Sequence, residues 1–302
     1  MHILILFNPN SGKRNGHIHA RRIERALLKR DATTQVTKQP SPSIGFLNDF
    51  WAHNKEEFSS VVIIGGDGTI GPVINAMFKH SFHKTPIYCY GRGTANDFAS
   101  FFKTNRGARR AAKIILAGKC RDVDTLYVNG KQYACNVACG GAFTNGVTRY
   151  SKKAKFILGK LAYAFVAFAK TFKLQNQRMR FTVDEGTFEV NIFLFYILNT
   201  KNVGGLKNCS PLSDAGDGML DLLCLRYCGL WGKMSLAFHQ AFGRLHHCRY
   251  VKHVQGTHFR VEHVPDHPIK SDFIVTDIDG NGYKPYPLEV AVGKRVRVLT
   301  KK

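Results

Sequence analysis

The sequence predicts an open α/β domain followed by an antiparallel β domain, and three observations carry this prediction. Over residues 1–123, short apolar runs alternate with helix-like segments, which is typical of a parallel sheet with helices on both faces. From about Cys120 the pattern changes to short strands separated by tight turns. With 302 residues, of which 44% are hydrophobic, the chain is long enough to bury two cores.

The first domain is predicted to alternate strands with helices. The strands are the apolar runs at residues 2–7, 35–37, 61–64 and 86–90. The run at 61–64 is Val-Val-Ile-Ile, and such β-branched side chains suit a strand that is buried on both faces. Residue patterns typical of helices cover residues 16–30, 44–53, 71–79 and 106–117, and Gly118 ends the last of these helices.

The second domain is predicted to consist of short strands joined by turns. Strand-like runs cover residues 121–128, 133–138, 180–183 and 188–198. Asn129-Gly130 lies between the first two runs, and Asn-Gly between strands is the strongest short hairpin signal. Glu185-Gly186 predicts another turn, and residues 295–299 form one more strand.

Three predicted strands end in polar, glycine-bearing loops. These loops are Asn8-Pro9-Asn10-Ser11-Gly12, Gly65-Gly66-Asp67-Gly68-Thr69 and Gly93-Thr94-Ala95-Asn96-Asp97-Phe98. Open α/β sheets bind ligands beyond the carboxyl ends of their strands, so we expect the loops to converge on one site. Amides in such turns can bind phosphate oxygens and Asp67 can hold a divalent ion, which favours a nucleoside triphosphate with magnesium. A glycine turn that binds nothing is the alternative.

The three loops resemble the catalytic domain of the diacylglycerol kinase and sphingosine kinase superfamily, and most of all its soluble bacterial lipid kinases. Residues 211–220 (Pro-Leu-Ser-Asp-Ala-Gly-Asp-Gly-Met-Leu) and 277–280 (Asp-Ile-Asp-Gly) agree with that family. The resemblance covers nearly the whole chain. It implies a catalytic α/β domain over residues 1–123 and a β-sandwich lipid-acceptor domain over 124–290, with a last strand at about 291–302 that can return to the first domain.

The resemblance also implies an ATP- and Mg²⁺-dependent kinase that transfers the γ-phosphate to the hydroxyl of a diacylglycerol-like lipid, in the cleft between the domains. ATP would be held by residues of the three loops, with Thr37 as a further candidate after the second strand. The loop residues are Asn8, Pro9, Asn10, Ser11, Gly12, Gly65, Gly66, Asp67, Gly68, Thr69 and Thr94.

Two magnesium sites follow from the resemblance. Asp67, Asp97 and Asp124 would form an acidic cluster that positions the catalytic magnesium, which neutralises charge on the transferred phosphate. Asp214 and Asp217, with the carbonyl of Met219, would hold a second, structural magnesium ion. For this second segment a plain acidic turn is the alternative.

Two positions depart from the family pattern. Gly71 and Pro72 stand where the family usually has Asn and Glu. Asn281 stands where the family has the Glu that is expected to act as general base, and an amide cannot take a proton from a hydroxyl at neutral pH. Either Asp279 or another acid does that work, or the rate is low. An NAD kinase-like enzyme and a non-catalytic lipid- or nucleotide-sensing protein are the alternatives.

The charge of the chain indicates an anionic partner. The formal net charge is +23, and no acidic residue lies between Asp124 and Asp184 or between Asp221 and Glu262. Residues 152–173 combine lysines with an apolar face, which predicts a basic amphipathic helix at an anionic membrane surface. A solvated basic surface is the alternative. We expect a cytoplasmic, peripherally membrane-associated protein without a nucleic-acid partner, and a homodimer is left open.

Overall fold

The computed structural model describes residues 1–41, 43–54, 56–104, 107–142, 175–265, 267–274, 276–283 and 286–301. The strands of its first sheet, numbered in chain order, are β1 (His2–Phe7), β2 (Gln35–Pro40), β3 (Ser60–Gly65), β4 (Ile87–Gly91), β5 (Cys120–Val123) and β17 (Val296–Leu299). They lie in the order β2-β1-β3-β4-β17-β5, and β1 to β4 are parallel. The predicted open α/β sheet is confirmed.

Helices cover both faces of this sheet. They are α1 (Gly16–Leu28), α2 (Ile44–His53), α3 (Asp67–Lys79), α4 (Asp97–Phe101) and α5 (Ala108–Ala117). Successive residues of β3 alternate between two cores. Val61 and Ile63 join the core formed with α2, α3 and α4, whereas Val62 and Ile64 join the core formed with α1 and α5. This alternation follows from the two-residue period of a strand.

The last strand of the described chain belongs to the first sheet. β17 pairs in parallel with β4 and antiparallel with β5, so the chain returns to the first domain after building the second. The prediction of a single strand over residues 121–128 is wrong. β5 ends at Val123, and the chain then leaves the first sheet at Asp124 and Thr125. Asp124 donates its backbone N–H to the carbonyl of Ala215 at 2.7 Å, outside the strand ladder.

The second domain contains an eleven-stranded antiparallel sheet in the described residues. Its strands are β6 (Leu126–Val128), β7 (Gln132–Ala134), β8 (Val137–Gly141), β9 (Gln177–Val183), β10 (Gly186–Leu198), β11 (Leu220–Arg226), β12 (Val251–Gly256), β13 (His258–His263), β14 (Thr276–Ile278), β15 (Asn281–Tyr283) and β16 (Leu288–Val292). The first half of β10 pairs with β9, and its second half pairs with β8 and β11. Phe181, Phe195 and Phe259 lie in the shared core. The predicted β-sandwich architecture is confirmed.

The turn signals locate two hairpins. Asn129 and Gly130 lie between β6 and β7 with φ angles of 49° and 64°, the left-handed conformation that a tight hairpin needs. The turn between β9 and β10 lies at Asp184 and Glu185, one residue before the predicted Glu185-Gly186. Asp184 takes the left-handed conformation there, with φ of 49°.

Two predicted elements have different bounds. The run over residues 133–138 is split between β7 and β8, because Cys135 and Asn136 donate their backbone amides to the carboxylate of Asp279. The helix predicted over 71–79 begins four residues earlier, at Asp67, so that the glycine loop itself enters the helix.

One further helix, α6 (Leu230–Ala241), follows β11 and is not predicted from the sequence. Its exposed side carries large apolar residues and its buried side carries Leu236, so the polar outer face by which a surface helix is recognised is missing. The predicted basic helix over residues 152–173 lies outside the described residues. Among the helices that the structure describes, none is long and apolar enough to cross a membrane.

Candidate functional site

The three glycine-bearing loops meet at the carboxyl edge of the first sheet. A Cβ on Gly93 would lie 2.4 Å from the Cα of Gly66, so a side chain at this position would separate the two loops. A Cβ on Gly12, whose φ is 55°, would lie 2.0 Å from the carbonyl oxygen of Arg92. Glycine is required at these points because backbone approaches backbone directly. The loops after β1, β3 and β4 therefore form one site.

Hydrogen bonds hold these loops in place. Asn8 donates from Nδ2 to the hydroxyl of Thr69 at 3.0 Å, which ties the loop after β1 to the first turn of α3. The Oδ1 atom of Asn8 accepts the backbone N–H of Asn10 at 2.8 Å, and the carbonyl of Asn8 accepts that of Ser11 at 3.3 Å. Pro9 lies within this braced loop. Because α1 and α3 begin at these loops, their positive N-terminal ends point to the same edge, which suits an anion.

A cleft of about 310 Å³ lies between the loop after β1 and the loop after β4. Three basic side chains help to line it, those of Lys13, His19 and Arg92. The guanidinium of Arg92 lies 4.1 Å from the ring centre of Tyr90, and its buried Nε has no hydrogen-bond partner in the described residues. Burial, followed by the charge of Arg92, lowers the pKa of His19. The positive charges of Lys13 and Arg92 in its lining suit this cleft to an anion.

Two of the predicted ATP-binding residues, Thr94 and Thr37, lie in different parts of the first domain. Thr94 is exposed in the loop after β4, between the cleft-lining residues Gly93 and Asn96. Thr37 lies in the middle of β2, opposite Leu4, and its hydroxyl is 2.9 Å from Nε2 of His2 at the start of β1. The loops follow the other end of β1, roughly 10 Å further along the strand. The structure therefore does not bring Thr37 to the site.

Asp67 is the first residue of α3 and also caps α4. One carboxylate oxygen accepts the backbone N–H of Asp97 at 3.0 Å, and the other accepts that of Phe98 at 3.1 Å. Burial raises the pKa of Asp67, and the hydrogen bonds from Phe98 and Asp97 oppose this rise. A carboxylate oxygen can accept more than one bond, so Asp67 can contact a cation while it caps the helix.

Asp97 connects the two domains. Its carboxylate oxygens accept the backbone N–H of Gly205 at 3.0 and 3.2 Å. Asn202 donates from Nδ2 to the carbonyl of Asp97 at 3.4 Å. Both partners lie in the loop that follows β10, so Asp97 holds the second domain against the glycine loops.

The carboxylate of Asp279 lies in the turn between β14 and β15 and is buried. It accepts the backbone amides of Cys135, Asn136 and Val137 at 2.6, 3.0 and 2.9 Å. Burial raises the pKa of Asp279 to about 7, the amide bonds oppose this rise, and the nearby Asp67 adds to it. Asp279 therefore ties the segment between β7 and β8 to the turn between β14 and β15.

Asn281 lies against the first turn of α3. A Cβ on Gly68 would be 3.2 Å from Nδ2 and 3.3 Å from Oδ1 of Asn281, and 3.3 Å from the carbonyl oxygen of Asp279. The side chain of Asn281 is exposed. An uncharged amide thus stands directly beside the glycine loop, at the junction of the two domains.

Asp124 does not complete a three-carboxylate cluster. Its carboxylate accepts Nε of Arg295 at 2.8 Å and the backbone N–H of Gly218 at 2.7 Å. The described residues hold no group of three or more His, Cys, Asp or Glu side chains that could bind a metal ion. The predicted cluster of Asp67, Asp97 and Asp124 is therefore not formed, because a guanidinium already neutralises Asp124.

The second predicted metal site contains an arginine. Arg121 donates from Nη2 to the carboxylate of Asp214. Oδ1 of Asp217 accepts the backbone N–H of Met219 at 3.0 Å, and the carbonyl of Asp214 accepts that of Gly216 at 2.8 Å. A guanidinium at Asp214 repels a divalent cation at the same carboxylate. As arranged, Asp214, Asp217 and Met219 form a turn and do not fit a magnesium site.

Two further asparagines at the domain junction, Asn75 and Asn199, are not among the predicted site residues. Asn75 of α3 donates from Nδ2 to the carbonyl of Tyr133 at 2.7 Å, and its Oδ1 accepts the backbone N–H of Tyr133 at 2.8 Å. Buried Asn199 donates to the carbonyls of Asp124 and Cys135 at 2.6 and 2.9 Å. Asparagine is common in turns and on surfaces, so its type alone gives no signal for this role. Arg92 is missed as well, although it directly precedes the loop that begins at Gly93.

Two family models match the chain. Residues 2–128 match the diacylglycerol kinase catalytic domain, and residues 138–300 match the YegS C-terminal NAD kinase beta sandwich-like domain. The two matches follow the two domains of the structure, with the last strand included in the second.

Individual proteins agree with these matches. The chain is 31% identical over 231 residues to a diacylglycerol kinase of Bacillus subtilis (strain 168). The aligned region covers 75% of this chain and 74% of that protein. It is 26% identical over 290 residues to a Shewanella frigidimarina (strain NCIMB 400) protein named "Probable lipid kinase YegS-like", over 95% of this chain and 88% of that one. The crystal structure of a diacylglycerol kinase from Bacillus anthracis str. Sterne has the same fold, with a TM-score of 0.75, 19% identity and coverage of 99% and 97% of the two chains.

Proposed function

Because this chain belongs to the diacylglycerol kinase family and is a lipid kinase, we propose that it transfers the γ-phosphate of magnesium-bound ATP to the hydroxyl of a diacylglycerol-like lipid. The observation that carries the proposal is the meeting of Gly12, Gly66 and Gly93 at one sheet edge, with Asn281 against Gly68. Phosphates bound at these glycines would lie at the domain junction, within reach of an acceptor held by the second domain.

Three features of the cleft support the proposal that it binds a nucleotide. The glycine loops bring backbone amides close to a ligand, and the N-termini of α1 and α3 add positive potential. Lys13 and Arg92 add full positive charges to the lining of the cleft. Together these groups can bind several phosphate oxygens of ATP.

The residues of this chain can supply one carboxylate ligand to a magnesium ion. When bound, Mg²⁺ would neutralise charge on the transferred phosphate. Asp67 is the carboxylate at the meeting point of the loops, whereas Asp97 accepts bonds from Gly205 and Asp124 is paired with Arg295. Mg²⁺ commonly takes one or two carboxylates, and phosphate oxygens and waters complete its coordination. A three-carboxylate site finds no support in this arrangement.

Transfer to the acceptor would depend on positioning. Asn281 can accept or donate a hydrogen bond to the lipid hydroxyl, and buried Asp279 holds the turn that carries Asn281. General base catalysis adds about 10²–10⁴-fold, while electrostatics and positioning supply most of phosphoryl transfer. We therefore propose an active but slow enzyme, working at an anionic membrane surface to which a chain of net charge +23 is attracted.

An assay with radiolabelled ATP over a panel of lipids in mixed micelles tests this proposal. The expected result is Mg²⁺-dependent phosphorylation of a diacylglycerol that is lost in Asp67→Ala and kept in Asp49→Ala, an exposed carboxylate on α2. Asn281 favours a second candidate, a non-catalytic sensor of nucleotide or lipid. That candidate requires Mg·ATP binding without transfer to any lipid in the panel.

A further inference from the structure

The helix α6 presents apolar side chains to solvent. Trp231 is 79% exposed, Phe238 63% and Phe242, the residue after the helix, 65%. The exposed side chains that we call the α6 face are those of Tyr227, Leu230, Trp231, Met234, Phe238 and Phe242. From Leu230 to Phe242 their spacing brings them to one side of the helix. Exposed apolar clusters of this kind mark interaction sites.

The polar residues of α6 do not cover this face. The hydroxyl of Ser235 lies 3.7 Å from Sγ of buried Cys248, and Nδ1 of His239 lies 2.8 Å from the carbonyl oxygen of Ser235. Leu236 is buried in the core beneath the helix. An ordinary surface helix turns its polar side to water, and α6 turns its largest apolar side chains there. The α6 face is therefore suited to contact with an apolar partner and not with water.

Charge identifies the partner. Arg226 and Arg244, on either side of the α6 face in the sequence, are exposed, and no acidic residue lies between Asp221 and Glu262. Aromatic and aliphatic side chains bordered by arginines match the acyl boundary and the anionic head groups of a bilayer. A second copy of the chain matches poorly, because pairing two such faces would bring arginines together without acids to neutralise them.

We propose that the α6 face is the membrane-docking surface of this protein and that it binds an anionic lipid bilayer. As an account of how the acceptor is reached, the proposal rests on the proposed function. A second cleft, of about 490 Å³, is lined by Lys103, Lys201 and Lys207, and Gln240 of α6 donates to the carbonyl of Lys207 at 3.2 Å. Docking of α6 would therefore hold a basic cleft beside the lipid head groups.

The two tryptophans of the chain allow a direct measurement. Trp51 is 1% exposed, so Trp51→Phe leaves Trp231 as a single reporter on the α6 face. Vesicles of phosphatidylglycerol and phosphatidylcholine should shift the emission of Trp231 to the blue and protect it from acrylamide. Vesicles of phosphatidylcholine alone should do so far less, and added salt should weaken the effect.

A double variant tests the apolar contribution. Trp231→Ser with Phe238→Ser should bind the anionic vesicles at least ~10-fold more weakly, since each aromatic side chain loses its burial in the interface. The matched control is Ile44→Ser with Ile269→Ser, which removes exposed isoleucines elsewhere and should bind like the wild type. Melting curves of both variants show whether the fold is kept.

Three results overturn the docking proposal. The first is unchanged vesicle binding in the double variant. The second is Trp231 emission that is already blue-shifted and shielded in buffer, because another part of the chain then covers the face. The third is a dimer that the double variant dissociates.

Failure of the proposed function is measured separately. The double variant should phosphorylate a water-soluble, short-chain diacylglycerol at the wild-type rate, because that acceptor needs no membrane. A wild-type protein that binds vesicles and phosphorylates no lipid would contradict the kinase proposal and leave the docking surface standing. A double variant that loses activity on the soluble acceptor as well contradicts a role in docking alone.

Discussion

The carboxylate of Asp67 accepts a hydrogen bond at 3.0 Å from the backbone amide of Asp97. This bond joins the glycine loop after β3 to the helix after β4, through two residues for which the family resemblance predicts a catalytic role. The same carboxylate also stands where the phosphates of a nucleotide would lie. Its hydrogen bonds and its charge therefore have different consequences, and two substitutions can separate them.

We predict that Asp67→Ala and Asp67→Asn both abolish Mg²⁺-dependent nucleotide binding and transfer, because both remove the charge. Asp67→Ala should lower the melting temperature more than Asp67→Asn, since Ala leaves the amides of both Asp97 and Phe98 without an acceptor whereas the single oxygen of Asn can keep one, and each buried group left unpaired costs about 1–3 kcal/mol. Calorimetry with Mg·ATP and thermal melting measure the two effects. If Asp67→Asn keeps wild-type affinity for Mg·ATP and wild-type turnover, this loop is not part of the active site.

Asp279 leads to a prediction about pH. Folding raises its pKa from the ordinary value of 3.8 to about 7. A carboxyl group whose pKa is raised by folding adds stability below its unfolded pKa and loses it as the pH rises through the folded pKa. The free energy of unfolding of the wild type, relative to Asp279→Asn, should therefore fall between about pH 4 and about pH 7.

Urea unfolding at several pH values checks this, with Asp184→Asn as a control of opposite sign. Bonds from Thr257 lower the pKa of Asp184, so its contribution is present above the unfolded pKa and is lost as the pH falls. Asp279→Asn should be less stable than the wild type below about pH 7, because the single oxygen of an amide cannot accept all three amides that the two carboxyl oxygens accept. A contribution of Asp279 that grows with pH would contradict our description of its environment.

Most elements of the first domain could be predicted because each of these has a local signal, whereas the five-residue helix α4 and the end of β5 at Val123 could not. The helix over residues 44–53 has its predicted bounds, and Ser43 caps it by accepting the backbone N–H of Phe46 at 3.2 Å. The strand β3 contains the unbroken apolar run Val61 to Ile64 because both of its faces are buried. The loops could be located for the same reason, since their glycines follow these strands directly.

The partners of the acidic residues could not be predicted, because they are distant in sequence. Asp124 meets Arg295, which is 171 positions away, and Asp214 meets Arg121, which is 93 positions away. No local pattern distinguishes a carboxylate that pairs with an arginine from one that binds a metal. The domain junction at Asn75 and Tyr133 depends on the same kind of long-range contact. The motifs therefore locate the site, and only the fold shows what each carboxylate does.

The ion pair of Arg121 and Asp214 predicts how the protein responds to chelators. The melting temperature of the wild type should not change with EDTA, because a guanidinium already neutralises Asp214. In Arg121→Ala no guanidinium lies beside Asp214, so Asp214 and Asp217 are free to bind Mg²⁺. Because an ion bound only by the folded state stabilises it, added Mg²⁺ should raise the melting temperature of this variant. Arg121→Ala with Asp217→Ala is the control and should not respond. A fall in the wild-type melting temperature with EDTA would contradict this prediction and would support a structural magnesium ion at Asp214 and Asp217.

Asn281 leads to the last prediction, because an amide stands at the junction of the glycine loop and the second domain. Asn281→Glu should place a carboxylate beside Gly68, where it can take the proton of the acceptor hydroxyl and raise kcat. The gain is bounded by the roughly 10²–10⁴-fold that general bases contribute. Asn281→Gln has the same length without the charge and should show no gain.

The pH dependence distinguishes a new base from better positioning. The gain in Asn281→Glu should disappear as the pH falls through the pKa of the new carboxyl group, which is about 4.3 in the absence of perturbation. Asp279→Asn should lower kcat in both backgrounds, because Asp279 holds the turn that carries residue 281. Little change in Asn281→Glu together with a severe, pH-dependent loss in Asp279→Asn would instead make Asp279 the base. A gain that is the same at every pH would mean that Glu at position 281 improves binding of the acceptor and takes no proton from it.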